Sequence, residues 1–523
     1  MDRQQMLQKM QQTPEWDVCI IGGGATGLGA AIDAASRGLK TILFERDDFA
    51  KGTSSRSTKL IHGGVRYLQQ GNIKLVIEAL EERGLLLKNV PHLVRNLKFI
   101  VPNYKWWEAP FYGIGLKMYD WMSGKLGLGP SQFLSLEETL QLAPTLDPEG
   151  LRGAVLYHDG QFDDARLAIN LASTAADKGA VLLNYCAVTE LLKKDGKING
   201  VTVWDSINEK TYNINAEIVI NATGVFTDAI LKMDDSTNES IIAPSQGVHL
   251  VIDKSFLPGE TAIMIPHTDD GRVLFAVPWH GKIILGTTDT PVDHASSEPI
   301  AQDDEIDYIL THIGRYLSKD PTRNDVLSVF AGLRPLVKSV SKITATLSRE
   351  HQITESDSGL VTITGGKWTT YRKMAEELID LVCKKFNTET KCITKDLKIH
   401  GWTDSVDYNN PRYFYGADAE SIELIMKEDP SMSEKIHPDL PYTFAEIIWS
   451  VRNEMCMTVE DALSRRTRSL LLNAKASMEV AEKVARIIAQ EKQLNENWII
   501  NQVNQFKLIA KNYLPLSNNQ TKT

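Results

Sequence analysis

The stretch DVCIIGGGATGLGAAIDAASRGLKTILFERDDF, residues 17–49, decides the fold of this chain. It begins with an apolar run typical of a buried strand. Three glycines then lead into a segment of small residues, which predicts a helix closed by Gly38. A second apolar run, KTILFER, contains the acidic residue Glu45 near its end. Strand, helix and strand form one βαβ unit, so the sequence predicts an α/β fold.

Gly22, Gly24 and Gly27 have the spacing GxGxxG. In such a motif the first glycine allows a tight turn, the second lets backbone approach a pyrophosphate, and the third lets the helix pack closely on the strand. The helix N-terminus offers amide groups to the phosphates, and Glu45 stands where a carboxylate would accept from ribose hydroxyls. The motif predicts a bound dinucleotide and leaves NAD and FAD open.

Hydroxyl-bearing residues crowd the next segment, FAKGTSSRSTKLIHGGVRYLQQG, residues 49–71. Hydroxyls and backbone amides of this kind can line a pyrophosphate and the edge of a flavin. The alternative is a polar surface loop with incidental hydroxyls.

Taken together, these two stretches resemble FAD-dependent glycerol-3-phosphate dehydrogenases. The resemblance continues in order through DGQFDDARL (159–167), INATGVFTD (220–228), PSQGVHLVI (244–252), GTTDT (286–290), GLRPL (332–336), TLSREH (346–351), TGGKWTTYRKMAEE (364–377) and VRNEMCMTVEDALSRRTRSLLLNA (451–474). It implies flavin-dependent oxidation of sn-glycerol 3-phosphate to dihydroxyacetone phosphate, with hydride transfer to FAD and electrons passed on to quinone. Oxidases of that family that use oxygen carry an internal insert, for which this chain has no obvious room.

The fold class that we expect is a Rossmann-like FAD-binding domain with an inserted antiparallel-sheet substrate domain, plus a helical C-terminal domain. Alternating short runs between residues 245 and 289 predict the antiparallel sheet. The oxidoreductase unit would span residues 1–386. Its FAD-binding segments are about 17–93, 151–235 and 326–386, its substrate segments about 94–150 and 236–325, and the helical domain spans 387–523.

A dianionic substrate needs fixed positive charge, and the planar fork of arginine suits phosphate oxygens. The resemblance implies substrate contacts from Arg66, Tyr67, His249, Arg334 and Arg349. It also implies a catalytic set of His62, Arg66, Arg334 and Lys367.

Two histidines are candidates for proton transfer, because imidazole titrates near working pH. His62 is the first, with a hydrogen bond to the flavin or the loop as its alternative. His249 is the second, with a satisfied core histidine as its alternative. Lys367 would stabilise negative charge on the flavin; the alternative is a solvated lysine beside a helix capped by Thr369 or Thr370.

The remaining expected contacts are with FAD. The cofactor-binding residues are Gly22, Gly23, Gly24, Ala25, Thr26, Gly27, Glu45, Arg46, Thr53, Ser54, Ser55, Lys59, Leu60, His62, Gly63, Ala187, Val188, Gly224, Gly366, Lys367 and Thr369. No metal site is expected, because Asp163 and Asp164 lack a visible third ligand and most simply cap the following helix.

Composition limits the class of protein and its partners. The chain has 523 residues, a net charge of -10 and five scattered cysteines without a CxxC pair. Nucleic acid is therefore not an expected partner, and a reducing compartment fits. The polar N-terminus does not resemble a signal peptide, and no apolar run is long enough to span a membrane.

The expected location is cytoplasmic, with peripheral contact at the inner face of the cell membrane as an option. Aromatic and basic residues mix in residues 104–127, which suits a membrane interface, although a core segment is the alternative. Homodimer formation stays open. So do three other functions: a glycerol-3-phosphate oxidase using oxygen, a related amino-acid-type flavin oxidase, and a non-catalytic flavin-binding interaction protein.

Overall fold

The computed structural model describes residues 1–63, 73–338 and 351–515. The strands are β1 (Trp16–Ile21), β2 (Thr41–Phe44), β3 (Leu60–Ile61), β4 (Val94–Asn103), β5 (Gln132–Leu134), β6 (Gly153–Phe162), β7 (Val181–Leu183), β8 (Cys186–Lys194), β9 (Lys197–Asp205), β10 (Lys210–Asn221), β11 (Ile242–Asp253), β12 (Ala262–Ile265), β13 (Leu274–Trp279), β14 (Lys282–Gly286), β15 (Thr290–Pro291), β16 (Val326–Val337), β17 (Gln352–Glu355) and β18 (Val361–Thr364). The helices are α1 (Arg3–Gln12), α2 (Ala25–Ser36), α3 (Ile73–Asn89), α4 (Glu108–Ser123), α5 (Leu136–Leu142), α6 (Asp164–Asp177), α7 (Thr227–Asp234), α8 (Asp303–Gly314), α9 (Tyr371–Lys385), α10 (Ala419–Glu428), α11 (Phe444–Asn453), α12 (Ser469–Leu472), α13 (Ala474–Lys492) and α14 (Glu496–Lys511).

The first sheet contains the predicted βαβ unit. Its strands run in the order β17-β18-β10-β1-β2-β7, and every neighbouring pair from β18 to β7 is parallel. An antiparallel ribbon, β8–β9, extends from β10. Helix α2 connects β1 to β2 and packs against α6 and α9. The apolar residues of β1 are buried because helices and neighbouring strands cover both faces, as in other parallel sheets.

The second sheet is mainly antiparallel, as the alternating runs predict. Its order is β15-β11-β14-β13-β12-β4-β6-β3; β16 also pairs with β11, and β5 with β6. Only the β12–β4 pair is parallel within the described part of this sheet. The predicted α/β fold class with an antiparallel sheet and a helical C-terminal region is confirmed.

Three strands lie differently from the proposed segments. We assigned the sequence around β3, β6 and β16 to the FAD-binding domain, but all three strands pair within the second sheet. The reason is that an apolar run predicts burial and not the partner strand. Strand β6, for example, is buried on both faces and carries no alternation that would reveal its sheet. The domain boundaries themselves stay a prediction.

The C-terminal region consists of helices, of which α12 and α13 pack against β16 of the second sheet. The two best predicted helices correspond to α11 and α13. One continuous hydrophobic core joins β1 and α2 to buried residues of these helices, such as Leu463 and Val484. Within the described ranges, no helix is both long and apolar enough to cross a membrane.

Candidate active site

A cavity of about 1060 Å³ opens at the carboxyl ends of the parallel strands. Ile21, Phe44, Ala222 and Thr364, at or just after the ends of four of these strands, all line it. Ligands of open α/β sheets bind at this edge. The cavity continues to the second sheet, where β11 and β16 provide its far wall.

The glycine turn allows close approach at the near end of the cavity. Gly22 has a φ of +112°, which favours glycine, and a Cβ there would lie 2.7 Å from the carbonyl oxygen of Ala222. A Cβ on Gly27 would lie 1.9 Å from the carbonyl oxygen of Gly22, so α2 can pack here only without a side chain. The amide of Ala25, at the start of α2, donates to Ser54 Oγ over 3.0 Å.

Glu45 lines the cavity directly after β2. Its carboxylate accepts hydrogen bonds from the amides of Gly23 (2.7 Å) and Asp47 (2.8 Å). Burial raises the pKa of Glu45, and the two amide donors oppose that shift. Glu45 therefore fixes the glycine turn at the same time as it faces the cavity.

Residues 48–59 connect the two ends of the cavity. Thr53 Oγ1 donates to the carbonyl of Leu333 on β16 over 2.6 Å. Trp368 Nε1 donates to the carbonyl of Ser54 over 2.9 Å. Thr58 Oγ1 lies 2.9 Å from His249 Nε2. We refer to these residues as the 48–59 segment.

Arg334 and His249 face the far end of the cavity from paired strands. The register of β11 and β16 sets Arg334 opposite Ser245 and Phe330 opposite His249. Arg334 Nη2 donates to the carbonyl of Thr288 over 2.9 Å, and its Nη1 lies 3.2 Å from Asp289 Oδ1. The guanidinium is thus held in place while it lines the cavity.

His249 is buried and stacks on the ring of Phe330, with 4.8 Å between ring centroids. Its Nδ1 has no hydrogen-bond partner among the described residues. Burial, with added repulsion from Lys59 and Arg334, holds the pKa of His249 well below its usual range. The ring is therefore neutral at neutral pH.

The TGGK motif turns from β18 toward α9. Gly365 and Gly366 both have a φ of +78°, in the region that favours glycine. A short 3₁₀ turn, Trp368–Thr370, follows before α9 begins at Tyr371, so the α-helix starts four residues later than Lys367. Lys367 and Thr369 line the cavity, and Thr369 Oγ1 donates to the carbonyl of His62 over 3.4 Å.

Most of the expected cofactor and substrate residues line this one cavity. They are Gly22, Gly24, Ala25, Thr26, Glu45, Arg46, Thr53, Ser54, Leu60, His62, Val188, Gly224, His249, Arg334, Gly366, Lys367 and Thr369. The cavity lining does not include Gly23, Gly27, Ser55, Lys59, Gly63 and Ala187. Arg66, Tyr67 and Arg349 lie outside the described residues.

Lys59 and Asp164 do not have the expected positions, because both side chains are buried and pair with each other. Lys59 is fully buried, and its Nζ donates to Asp164 Oδ2 over 2.7 Å rather than facing the cavity. Burial lowers the pKa of Lys59 to about 8. Asp163 caps α6 as expected, by accepting from the amide of Arg166, whereas Asp164 holds the end of the 48–59 segment.

Sequence reasoning missed two residues at the far end of the cavity, Arg272 and Asp289. Arg272 lines it as a second cation and forms an ion pair with Asp270. Asp289 pairs with Arg334 and also accepts from Ser245 Oγ. The GTTDT motif contains Asp289 and was the available signal; the turn that carries Arg272 gives none.

The cavity residues fit a flavin dinucleotide. The cavity, at about 1060 Å³, lies at the upper end of the range for ligand and cofactor sites, about 300–1,000 Å³. Its near end has a glycine turn that a single Cβ would block, at a helix N-terminus suited to phosphate.

A profile of the FAD dependent oxidoreductase family matches residues 17–372, and a profile of the C-terminal domain of alpha-glycerophosphate oxidase matches residues 361–498. The probable mitochondrial glycerol-3-phosphate dehydrogenase of Caenorhabditis elegans is 43% identical over 94% of this chain and 72% of that protein. The mouse mitochondrial glycerol-3-phosphate dehydrogenase is 40% identical over the same shares. This chain belongs to the FAD-dependent glycerol-3-phosphate dehydrogenase family. FAD is the cofactor of this family, which confirms that prediction.

The fold of a solved structure supports the same family membership. The glycerol-3-phosphate dehydrogenase from Bacillus halodurans complexed with FAD is 31% identical, with a TM-score of 0.81, and the match covers 99% of this chain and 98% of that chain. The L-alpha-glycerophosphate oxidase from Mycoplasma pneumoniae shares the fold at 20% identity, with a TM-score of 0.58 over 73% of this chain and 97% of that chain.

Proposed function

We propose that this chain oxidises sn-glycerol 3-phosphate to dihydroxyacetone phosphate. The observation that carries the proposal is the single cavity that joins the glycine turn to Arg334 and His249, in a chain of this family. FAD, when bound, supplies the redox chemistry by accepting the hydride from C2 of the substrate. The protein must hold the phosphate, orient C2 and take the proton of the C2 hydroxyl.

Arg334 is the proposed phosphate ligand. Its guanidinium is fixed by Thr288 and Asp289, so little side-chain freedom remains to be lost on binding. Arg272 adds a second cation to the same end of the cavity. Arg66 and Arg349 remain predicted ligands outside the described residues. A dianion needs more than one cation, and planar guanidinium groups match its oxygens.

His249 is the proposed acceptor of the hydroxyl proton. Burial keeps the ring neutral, as a base must be before it accepts a proton, and the same burial weakens it as a base, so the proton must move on quickly from the ring. The Thr58 hydroxyl beside Nε2 fixes the ring orientation. His62 also lines the cavity and is the alternative base.

Lys367 is proposed to stabilise the negative charge that develops in the cavity on oxidation of the substrate. It stands at the turn between β18 and α9, where two glycines bring backbone close to the cavity. A fixed cation in a partly dry site acts strongly, because the local dielectric is low.

The proposed electron acceptor is quinone, reached at a membrane surface. Helix α4 exposes a stripe of apolar side chains at helical spacing: Trp107, Phe111, Ile114, Met118 and Trp121. Trp121 is 84% exposed, and Lys105 and Lys117 add positive charge beside the stripe. Aromatic, aliphatic and basic residues together suit the headgroup region of a bilayer. This location would be peripheral, at the inner face of the cell membrane.

An anaerobic titration tests the activity. The FAD-loaded protein is mixed with sn-glycerol 3-phosphate without oxygen, and the visible flavin absorbance is followed. We expect rapid bleaching and formation of dihydroxyacetone phosphate. Glycerol, glycine and L-proline are the matched controls, since they lack the phosphate or belong to amino-acid-type oxidases. Bleaching by an amino acid, or no bleaching by glycerol 3-phosphate, would contradict the proposal.

A further inference from the structure

The C-terminal region reaches the 48–59 segment through a buried run of arginines. Arg465 and Arg466 end a π-helical turn, Asp461–Arg466, and Arg468 follows it. Their side chains are 3%, 0% and 1% exposed. Buried charges are costly unless paired, so their partners show what the run holds.

Two of the arginines hold the start of the segment. Arg465 Nε donates to Asp48 Oδ2 over 2.6 Å, and Arg466 donates to both oxygens of Asp48 over 2.7 and 2.9 Å. Burial alone would raise the pKa of Asp48, but the two guanidinium groups outweigh it and hold that pKa well below its usual range. A third contact joins Glu460 of the C-terminal region to Lys51 over 2.9 Å.

Arg468 holds the end of the segment. Its Nη2 donates to the carbonyl of Ser55 (2.8 Å) and to Asp164 Oδ1 (3.0 Å). The other oxygen of Asp164 accepts from the amide and hydroxyl of Ser57, and from Lys59 Nζ. One guanidinium thus connects the C-terminal region to the residues that flank Thr58.

The backbone of the segment needs such support. Ala50 and Lys59 have φ values of +62° and +63°, a region that side chains other than glycine rarely adopt. Such residues persist when the surrounding structure over-determines them. Between these two positions lie Thr53 and Ser54, which face the cavity beside the N-terminus of α2.

We propose that Arg465, Arg466 and Arg468 are positioning residues for the FAD site, and that the C-terminal region controls FAD retention through the 48–59 segment. The arginines act through Asp48 and Asp164 and do not line the cavity themselves. This proposal rests on FAD as the cofactor and is independent of the substrate.

The test is FAD binding to the full-length apoprotein, measured by flavin fluorescence without any substrate. We expect Arg466→Gln and Arg468→Gln each to raise the FAD dissociation constant at least tenfold. Arg466→Lys keeps a cation beside Asp48 and should recover part of the affinity. The matched control is Arg37→Gln: Arg37 is equally buried and ion-paired, with Asp33 and Asp380, but its hydrogen bonds run to α2 and to residues 376–390 and not to the 48–59 segment. It should change the constant less than twofold.

Wild-type affinity in folded Arg466→Gln and Arg468→Gln would overturn the proposal, as would equal weakening in Arg37→Gln. If circular dichroism shows that neither arginine variant folds, the FAD dissociation constant of Glu460→Gln tests the proposal instead. The Glu460 side chain is 13% exposed and lies at the edge of the run of arginines. The substitution weakens two ion pairs of Glu460, with Lys51 and with Arg465. A dissociation constant raised at least threefold supports the proposal, and an unchanged one overturns it.

Discussion

At the scale of single residues, the proposed phosphate binding at the far end of the cavity depends on Arg334. Replacing it in Arg334→Ala removes charge-assisted hydrogen bonds to phosphate, each worth about 1.5–3 kcal/mol, so KM for glycerol 3-phosphate should rise roughly ten- to a hundredfold. FAD should stay bound, because Arg334 lies at the other end of the cavity from the glycine turn. Steady-state kinetics and the flavin spectrum measure both effects.

Arg323→Ala is the matched control for that experiment. Arg323 belongs to the same part of the chain but pairs with Asp303 and Asp307, which do not line the cavity. Its KM should stay near that of the wild type. A wild-type KM in Arg334→Ala would remove this residue from the phosphate site.

The proposed role of Lys367 leads to a separate prediction about the reduction potential of the cofactor. In Lys367→Met the cavity loses a cation, so negative charge on the reduced cofactor is less stabilised. The two-electron reduction potential of bound FAD should fall by roughly 30 mV or more, where about 30 mV corresponds to 1.4 kcal/mol. A potentiometric titration with reference dyes measures it. Lys51→Met also removes a cavity-lining lysine, but one on the 48–59 segment and not at the turn between β18 and α9, and should shift the potential less. An unchanged potential in Lys367→Met would contradict the role.

How far sequence predicts the site differs from residue to residue. Gly22 and Gly27 could be predicted because their function is the absence of a side chain, which the sequence states directly. Lys59 could not, because its partner Asp164 is distant in sequence and burial decides where the ammonium points. Asp289 was missed for a similar reason: its carboxylate pairs with Arg334 on β16, which is distant in sequence.

At the scale of elements, α2 can pack on β1 only because Gly27 is small. In Gly27→Ala the new Cβ would meet the carbonyl oxygen of Gly22, which is backbone and cannot rotate away. The glycine turn must shift, so we expect the purified protein to contain less than about a tenth of the wild-type FAD, since a displacement of this size misplaces the phosphate-binding amides. The ratio of flavin to protein absorbance measures this.

Gly115→Ala is the control for that substitution. Gly115 lies in α4, and beyond its chain neighbours and the backbone of its own helix no described atom lies within 4 Å of the position that a Cβ would take, so alanine should be tolerated there or stabilise the helix slightly. Full FAD occupancy in Gly27→Ala would show that the turn adapts more readily than its backbone contacts imply.

His400 joins the end of α6 to the residues before α10. Its ring lies 2.9 Å from Asp177 and 3.1 Å from Asp418, and hydrogen bonds to these carboxylates raise the pKa of His400 to about 9. Because this pKa exceeds the unfolded value near 6.5, the stabilisation is fully present below pH 6.5 and is lost as pH rises through about 9. The ring is partly exposed, so solvent screening weakens the effect.

His400→Gln should therefore lower the melting temperature more at pH 6 than at pH 10. Thermal melts of both proteins at the two pH values measure the difference. His437→Gln is a suitable control, because Nδ1 of His437 accepts from the amide of Asp439, and within the described residues only its Nε2 lies at hydrogen-bond distance from a carboxylate, that of Glu479. An equal effect at both pH values would mean that the charge of His400 contributes nothing.

Element types were predictable from periodicity, whereas sheet membership was not. The short alternating runs correctly predict β11, β13 and β14 as antiparallel strands. The partners of β6 and β16 depend on contacts between distant segments, which a single apolar run does not encode. Helix α4 was not predicted, because exposed aromatic residues such as Phe111 and Trp121 interrupt the apolar period of the helix.

At the scale of the whole molecule, one helix connects the outer surface with the cavity. The exposed face of α4 carries the apolar stripe, while its buried face carries Tyr119. The Tyr119 hydroxyl accepts from the amide of Gly63 over 2.8 Å and donates to Asp159 Oδ2 over 3.0 Å. Gly63 follows His62, and both His62 and Asp159 line the cavity. A membrane bound to this stripe would therefore lie within one helix diameter of the wall of the site.

This arrangement predicts how the acceptor is reached. Burying three large apolar side chains contributes about 1.5–3 kcal/mol each, so replacing Phe111, Ile114 and Trp121 by serine should weaken binding to vesicles of phosphatidylethanolamine and phosphatidylglycerol at least a hundredfold. Electron transfer from glycerol 3-phosphate to quinone in those vesicles should fall with it, whereas transfer to a soluble dye should keep its wild-type rate, because no replaced residue lines the cavity. Co-sedimentation and the two acceptor assays measure these effects, with Ile500→Ser and Leu508→Ser on α14 as exposed controls.

Reduction of vesicle quinone at the wild-type rate by the triple variant would show that the acceptor is reached elsewhere. If oxygen reoxidises the reduced wild-type protein as fast as quinone does, the protein would instead be a glycerol-3-phosphate oxidase that uses oxygen.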